Sequence, residues 1–300
     1  SRHVPSRTAI TLAGMTDAAL GSGVRDRARA VVTHPVTLWG AFVLVHLALG
    51  LLCLTHPSLP MGDVTIVYEF WMHRGVDDGL WVGLDTAWVY PLLAIVPMAL
   101  SAMFGWTFYA STWLTLAMAV DAVAFAVLLH RGRPDRATTP AAWWWIAFLV
   151  AVGPIALGRI DTFATAVAVV GVLVIVGRPA LGSALFTIAA WMKVWPAALV
   201  AAAVIALRSR LVVLAAAAAT TAVVLGVGLA LGGGASLFSF ITEQTGRGLQ
   251  IESPLALPAM WAAWAHAGPP IYYDHDILTY QLRGPGTQLA AALSTPLLAA

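Results

Sequence analysis

The chain has 300 residues, of which 60% are hydrophobic and 10% carry a charged side chain, and its formal net charge is +2. Soluble globular domains carry about 25% charged residues, so this composition excludes a single soluble core and predicts an all-α polytopic membrane protein. The single cysteine, Cys53, excludes an internal disulfide framework, and we expect no nucleic-acid partner.

Residues 1–35 are polar and rich in arginine, and we expect them to form a cytoplasmic N-terminal tail. Residues 36–300 are expected to form one transmembrane domain with long outer loops at 56–105 and 232–286. The apolar runs that suit helices are Val36–Leu54, Val89–Phe104, Trp106–His130, Ala141–Leu157, Thr162–Val176, Ala180–Trp191, Val194–Leu207, Leu211–Leu231, Leu255–Ala265 and Gln288–Ala300.

The placement of charge predicts which of these runs cross the membrane. Val89–Phe104 contains Pro91 and Pro97, which disfavour a straight helix, and a crossing there would place the arginines of residues 131–136 outside. If this run stays at the outer surface, eleven of the sixteen basic residues lie inside and ten of the fourteen acidic residues lie outside. We therefore predict that Val89–Phe104 does not cross.

The last part of the chain gives weaker signals. Leu255–Ala265 is too short to cross and carries Trp261 and Trp264, so it is predicted to be an interfacial helix. The stretch "IYYDHDILTYQLRGPG" predicts a small extended hairpin outside the membrane. Gln288–Ala300 begins a span and stops abruptly, and we expect that a C-terminal part of the protein is missing.

Polar residues that could carry chemistry follow the helices into the outer loops. Asp63 comes shortly after the first apolar run, where a carboxylate can take a proton from an acceptor hydroxyl, although a solvated loop acid is the alternative. In "GRID", Arg159 suits bidentate binding of a phosphate, while Asp161 could cap the following helix. Lys193, in "WMKVWP", is either an interfacial lysine or a cation that neutralises a lipid phosphate.

Two later motifs are more ambiguous. The stretch "TEQTGRGLQIESP" is either a flexible loop or, through its carboxylates, amides and guanidinium group, a set of partners for sugar hydroxyls. The triplet "DHD" at residues 274–276 hints at a metal site, but adjacent residues of a strand point to opposite faces. We therefore expect no metal and no other cofactor.

The motifs "LPMGD", "WVYPLLAIVP", "GRID", "KVWP" and "RGLQIESP" occur together, and the chain in this respect resembles the membrane-embedded GT-C glycosyltransferases, specifically glycosyltransferase family 87. The resemblance covers about Trp39 to Thr287. It points to actinobacterial polyprenol-phosphate-mannose-dependent α-(1→2) mannosyltransferases that extend phosphatidylinositol mannosides. The fold that it implies is a GT-C-like helical bundle with juxtamembrane helices on the outer face.

The resemblance also implies a reaction at the periplasmic side of the plasma membrane. Mannose would pass with inversion from polyprenyl-phosphate-mannose to a glycolipid acceptor, and Asp63 would be the general base. The implied residues for the donor phosphate are Lys193, Arg159 and Arg247, and those for sugar and acceptor are Glu243, Gln250, Glu252, Tyr90 and His275.

Three other functions remain open at this point. An arabinofuranosyltransferase that uses polyprenyl phosphoarabinose would share Asp63 and the phosphate site and differ in its sugar contacts. A membrane transporter would place ionisable residues near the middle of the membrane, where Asp121 is the one candidate. A non-catalytic membrane scaffold would leave the ten outer acids unexplained.

Overall fold

A computed structural model describes residues 30–131, 138–243, 248–268, 270–275 and 279–299. The α-helices are α1 (Pro35–Thr55), α2 (Glu69–Asp78), α3 (Ile95–Ser101), α4 (Tyr109–Arg131), α5 (Thr138–Val152), α6 (Asp161–Ile175), α7 (Pro179–Ala190), α8 (Ala197–Ala206), α9 (Arg210–Ala230), α10 (Ser239–Thr242), α11 (Leu257–Trp264) and α12 (Thr287–Ala299). A π-helix spans Asp63–Tyr68, and 3₁₀ turns span Leu92–Ala94, Trp106–Phe108, Gly153–Ala156, Ala235–Phe238 and Pro254–Ala256.

Among the described residues, four helical segments are long and apolar enough to cross a membrane: α1, Trp106–His130, Thr138–Ala156 and α9. Large apolar side chains cover their outward surfaces, as at Leu44, which is 69% exposed, and Leu211, which is 75% exposed. Apolar surface on this scale is stable against lipid and not against water. The prediction of an all-α polytopic membrane protein is therefore confirmed.

The segment Val89–Phe104 forms a 3₁₀ turn followed by the seven-residue helix α3. Pro91 precedes the turn in an extended conformation, and Gly105, at φ 87°, separates the segment from the long helix that follows. A helix of this length rises only about 10 Å, roughly a third of the hydrocarbon core of a bilayer. This short helix agrees with the expectation that the segment does not cross.

Close contact between α6 and α7 depends on glycine. A side chain at Gly171 would collide with Phe186, and one at Gly182 would collide with Ile175. The hydroxyl of Ser183 then donates to the carbonyl of Val213 at 2.7 Å, which ties α7 to α9. Small residues at such crossings let membrane helices approach each other closely.

Asp121 lies on α4 and pairs with His46 on α1. Its Oδ2 atom lies 3.2 Å from His46 Nε2, and the Nδ1–H group of the same histidine donates to the Phe42 carbonyl at 2.9 Å. Both side chains are only 4% exposed. Asp121, the one ionisable residue whose position in the sequence suits a transporter, is therefore enclosed between α1 and α4.

The C-terminal region contains a three-stranded antiparallel sheet in the order β1 (Leu249–Gln250), β3 (Thr279–Leu282) and β2 (Ile271–Asp274). The pairing of β2 with β3 confirms the predicted hairpin. The short strand β1 was not predicted, because the sequence around it reads as a loop. Leu249 packs with Ala256 and Leu282 beneath the sheet, so this part of the expected outer loop is ordered.

Candidate active site

Several polar loops meet at one end of the bundle. The Leu93 N–H group donates to the Trp191 carbonyl at 2.9 Å, and the indole N–H of Trp113 donates to the Leu157 carbonyl at the same distance. The Cys53 thiol, near the end of α1, contacts the Pro154 carbonyl at 3.2 Å. The loops that carry "MGD", "VYP", "GRID" and "KVWP" are thereby held against one another.

Asp63 is the first residue of the π-helix, two residues after the buried segment Pro60–Met61. Its side chain is 23% exposed, so a solute can reach it. Oδ2 of Asp63 forms an ion pair with the guanidinium group of Arg159. Oδ1 makes no hydrogen bond to any residue within the described ranges.

Arg159 joins the membrane bundle to the C-terminal region. One terminal nitrogen contacts Asp63, and the other lies 3.5 Å from Oε1 of Glu252. Burial lowers the pKa of Arg159, although Glu252 and Asp161 act in the opposite direction. A guanidinium group has five N–H donors, so Arg159 can serve two carboxylates and still offer a hydrogen bond to a third group.

The Arg159 loop is pressed directly against the loop before Asp63. A Cβ atom built on Gly158 would collide with the carbonyl oxygen of Pro60 and would lie 3.3 Å from the carbonyl carbon. Only a residue without a side chain allows this approach. Gly158 is therefore part of what brings Arg159 and Asp63 together.

Lys193 lies in the turn between α7 and α8. Its ammonium group lies 3.1 Å from Oδ2 of Asp161 and 4.9 Å above the ring of Tyr90. Burial disfavours the charged form of Lys193, whereas Tyr90 and Asp161 favour it. The net effect is that the pKa of Lys193 is raised above its usual value. Asp161 does not cap α6, because it is the first residue of that helix and makes no capping hydrogen bond; it pairs with Lys193 instead.

Aromatic rings line the space between these charged groups. Tyr90 contacts Tyr68, Trp71 and Trp88 with ring centroids 5.5 to 6.2 Å apart. Tyr68 is fully buried, and its pKa is raised well above the ordinary value. The larger cause is burial, and the smaller is the neighbouring Tyr90. The indole nitrogen of Trp88 is buried without a hydrogen-bond partner among the described residues.

The structure thus brings together five of the residues that the motifs indicated: Asp63, Tyr90, Arg159, Lys193 and Glu252. Tyr68 is not among the residues that the motifs indicate, and for Asp161 the sequence predicts a helix-capping role instead of a pair with Lys193. Asp161 could have been found as the only acid beside Arg159 in "GRID". Tyr68 could not have been found in this way, because the π-helix is what brings its hydroxyl close to Asp63.

The remaining candidates lie elsewhere. Gln250 is in β1 opposite Gln281, and its side-chain nitrogen is buried without a partner among the described residues. Glu243 is exposed at the end of α10. His275 is exposed beside β2, with its ring 5.0 Å from that of Tyr273. Arg247 lies outside the described residues.

A family model described as "Glycosyltransferase family 87" matches residues 88–299, more than half of the chain. No match was found among curated proteins or solved structures. The matched residues include Arg159, Lys193 and Glu252 but begin after Asp63, so the likeness starts later than the motifs had suggested. Asp63 joins this group through its contact with Arg159.

Proposed function

The chain belongs to glycosyltransferase family 87, and on this premise we propose that the cluster around Asp63 and Arg159 is the catalytic centre of a membrane-embedded, GT-C-like mannosyltransferase. Its donor is polyprenyl-phosphate-mannose, and its acceptor is a lipid-linked glycan of the phosphatidylinositol mannoside type. The observation that carries this proposal is the ion pair between Asp63 and Arg159, because it joins a candidate base to a candidate phosphate ligand.

Asp63 acts as the general base in this proposal. Oδ1 takes the proton of the acceptor hydroxyl as the acceptor oxygen attacks the anomeric carbon of the sugar. The bond from that carbon to the phosphate oxygen breaks, and its electron pair leaves with the polyprenyl phosphate. A β-linked donor gives an α-linked product, since attack and departure take place on opposite faces of the sugar.

Arg159 and Lys193 bind the phosphate of the donor. Both side chains are about one-third exposed and reach the same space, and both are held in place by carboxylates. Positive groups that already point at the leaving oxygen stabilise charge as it develops there. Arg247 is proposed as a third cation because it precedes Glu252 by only five residues.

Tyr90, Glu252, Gln250, Glu243 and His275 are proposed as contacts for the sugar and the acceptor. Tyr90 and Glu252 have the strongest support, since each contacts one of the two proposed phosphate ligands. The amide nitrogen of Gln250, buried and without a partner in the described part of the chain, offers a hydrogen bond to a ligand oxygen if the sheet opens slightly.

We place this centre on the periplasmic side of the plasma membrane, with a cytoplasmic N terminus. The support is the charge distribution along the sequence: in the predicted topology, eleven of the sixteen basic residues fall on one side of the membrane and ten of the fourteen acidic residues on the other. A lipid-borne donor and a glycolipid acceptor can both reach a cluster at the membrane surface.

The test is a transfer assay on membranes that contain the chain. Radiolabelled polyprenyl-phosphate-mannose and polyprenyl phosphoarabinose are offered in parallel with glycolipid acceptor. We expect mannose transfer, and we expect Asp63→Asn to lower kcat by about 100- to 10,000-fold, the usual contribution of a general base. Transfer of arabinose alone would favour the arabinofuranosyltransferase.

Asp78→Asn is the matched control for that variant. Asp78 is another outer acid, its side chain is 58% exposed, and its ion pair with Arg74 is long, at 3.8 Å. An exposed pair of this kind contributes little to stability, so we expect wild-type activity. Equal activity of Asp63→Asn and Asp78→Asn would contradict the assignment of Asp63.

A further inference from the structure

Tyr68 lies directly behind Asp63. Its hydroxyl lies 3.5 Å from Oδ2 of Asp63 and 3.5 Å from the Tyr90 hydroxyl. The ring is fixed by Trp113 and Trp71, with centroids 5.2 and 5.8 Å away. The Tyr90 hydroxyl and the backbone of Ile160 are the other hydrogen-bonding groups beside this hydroxyl, and the carboxylate of Asp63 is the charged acceptor that it approaches.

The π-helix explains why residues 63 and 68 meet. In an α-helix, side chains five residues apart point about 140° away from each other around the axis. Here the N–H group of Glu69 donates to the Val64 carbonyl five residues back, and this wider turn brings Tyr68 over Asp63. Single π-helical turns are rare in proteins, but those that occur are often found at functional sites.

The two oxygens of Asp63 therefore differ in their surroundings. Arg159 and Tyr68 both approach Oδ2, whereas Oδ1 is without a hydrogen bond to the described residues. We propose that Tyr68 is a positioning residue that, together with Arg159, holds Oδ2 and leaves Oδ1 directed to the acceptor hydroxyl. This inference rests on the proposed role of Asp63 as the general base.

The separation of 3.5 Å is longer than the roughly 2.7 Å of a formed hydroxyl hydrogen bond. Catalytic hydrogen bonds are often long without substrate and tighten in the complex. When Asp63 gains the acceptor proton, a fixed Oδ2 keeps the carboxyl plane in the orientation that the transfer requires. Without the Tyr68 hydroxyl, the carboxylate can rotate about its side-chain bonds, and fewer encounters are productive.

The test compares Tyr68→Phe with Tyr109→Phe. Both variants remove one hydroxyl from a fully buried tyrosine and keep the ring. The Tyr109 hydroxyl has no hydrogen-bond partner among the described residues, so its loss should leave kcat unchanged. For Tyr68→Phe we expect kcat to fall about tenfold, the loss of one hydrogen bond to a charged group, while KM for donor and acceptor stays within about twofold.

Rates are normalised to the folded fraction that binds donor, so that a loss of protein does not count as a loss of catalysis. A wild-type kcat in Tyr68→Phe, with Asp63→Asn inactive, would overturn the role of Tyr68 and leave the proposed function intact. A raised KM with unchanged kcat would also overturn it, because that result indicates that Tyr68 affects substrate binding and not the proton-transfer step. An active Asp63→Asn enzyme would instead overturn the proposed function.

Discussion

Gly158→Ala adds one methyl group where the Arg159 loop touches the loop before Asp63. The new carbon would overlap the Pro60 carbonyl oxygen and would lie 3.3 Å from the carbonyl carbon. Both atoms belong to the backbone, so neither can rotate away, and the two loops must separate. We expect this overpacking to cost about 1–3 kcal/mol of stability.

The effect on catalysis should be larger than the effect on stability. Separation of the loops moves Arg159 away from Asp63, and a misplacement of about 1 Å at reacting groups can lower a rate by roughly 100-fold. We therefore expect Gly158→Ala to lower kcat by about 100-fold in protein that still unfolds cooperatively on heating. The assay is sugar transfer in detergent, with a thermal melt of the same preparation.

Gly62→Ala is the matched control. Gly62 is the direct neighbour of Asp63, but its φ of −55° suits any residue, and a Cβ atom added to it would meet no heavy atom within 4 Å. We expect its kcat to stay within about twofold of the wild type, because the substitution neither strains the backbone nor moves the loop. A folded Gly158→Ala enzyme as active as Gly62→Ala would refute the reasoning.

Three further experiments test other parts of the structure. Lys193→Gln should raise KM for the donor about tenfold, since it removes one cation from the proposed phosphate site, and steady-state kinetics measure this. Asp121→Leu should destabilise the protein by about 3–5 kcal/mol in a thermal melt because it leaves Nε2 of the buried His46 without its carboxylate partner, and the double variant with His46→Leu should recover much of this loss. In a chain without Cys53, a membrane-impermeant maleimide applied from outside should label Ser58→Cys and not Arg208→Cys.

The course of the helices could be predicted from sequence because apolar runs have a physical length requirement. Pro91 and Pro97 also indicated correctly that the second apolar run makes only a short helix. The helix boundaries at the end of the bundle that carries the candidate site are harder to predict, because 3₁₀ turns there depend on hydrogen bonds to other loops. The Leu93 N–H group, for example, donates to the Trp191 carbonyl, and nothing local in the sequence announces this.

The candidate site could be predicted only as a set of separate motifs. Charged residues between apolar runs identify Asp63, Arg159 and Lys193 as candidates. The contact of Arg159 with Glu252 joins residues 93 positions apart, and no spacing rule predicts such a pair. Tyr68 was missed for another reason: face assignments from sequence assume 3.6 residues per turn, and the π-helix departs from that period.

The charges of the cluster suggest why Arg159 is shared between two carboxylates. Asp63, Asp161 and Glu252 contribute −3 and Arg159 and Lys193 contribute +2, so the formal sum is −1.

In the proposed reaction, the phosphate of the donor is a monoanion and leaves with about one additional negative charge. At the same moment Asp63 takes up a proton, and the cluster becomes neutral. Its attraction for phosphate therefore increases as the bond breaks, which is the condition for stabilising a transition state more than a ground state. Because Arg159 contacts Asp63 directly, neutralising that carboxylate frees the guanidinium group for the leaving phosphate.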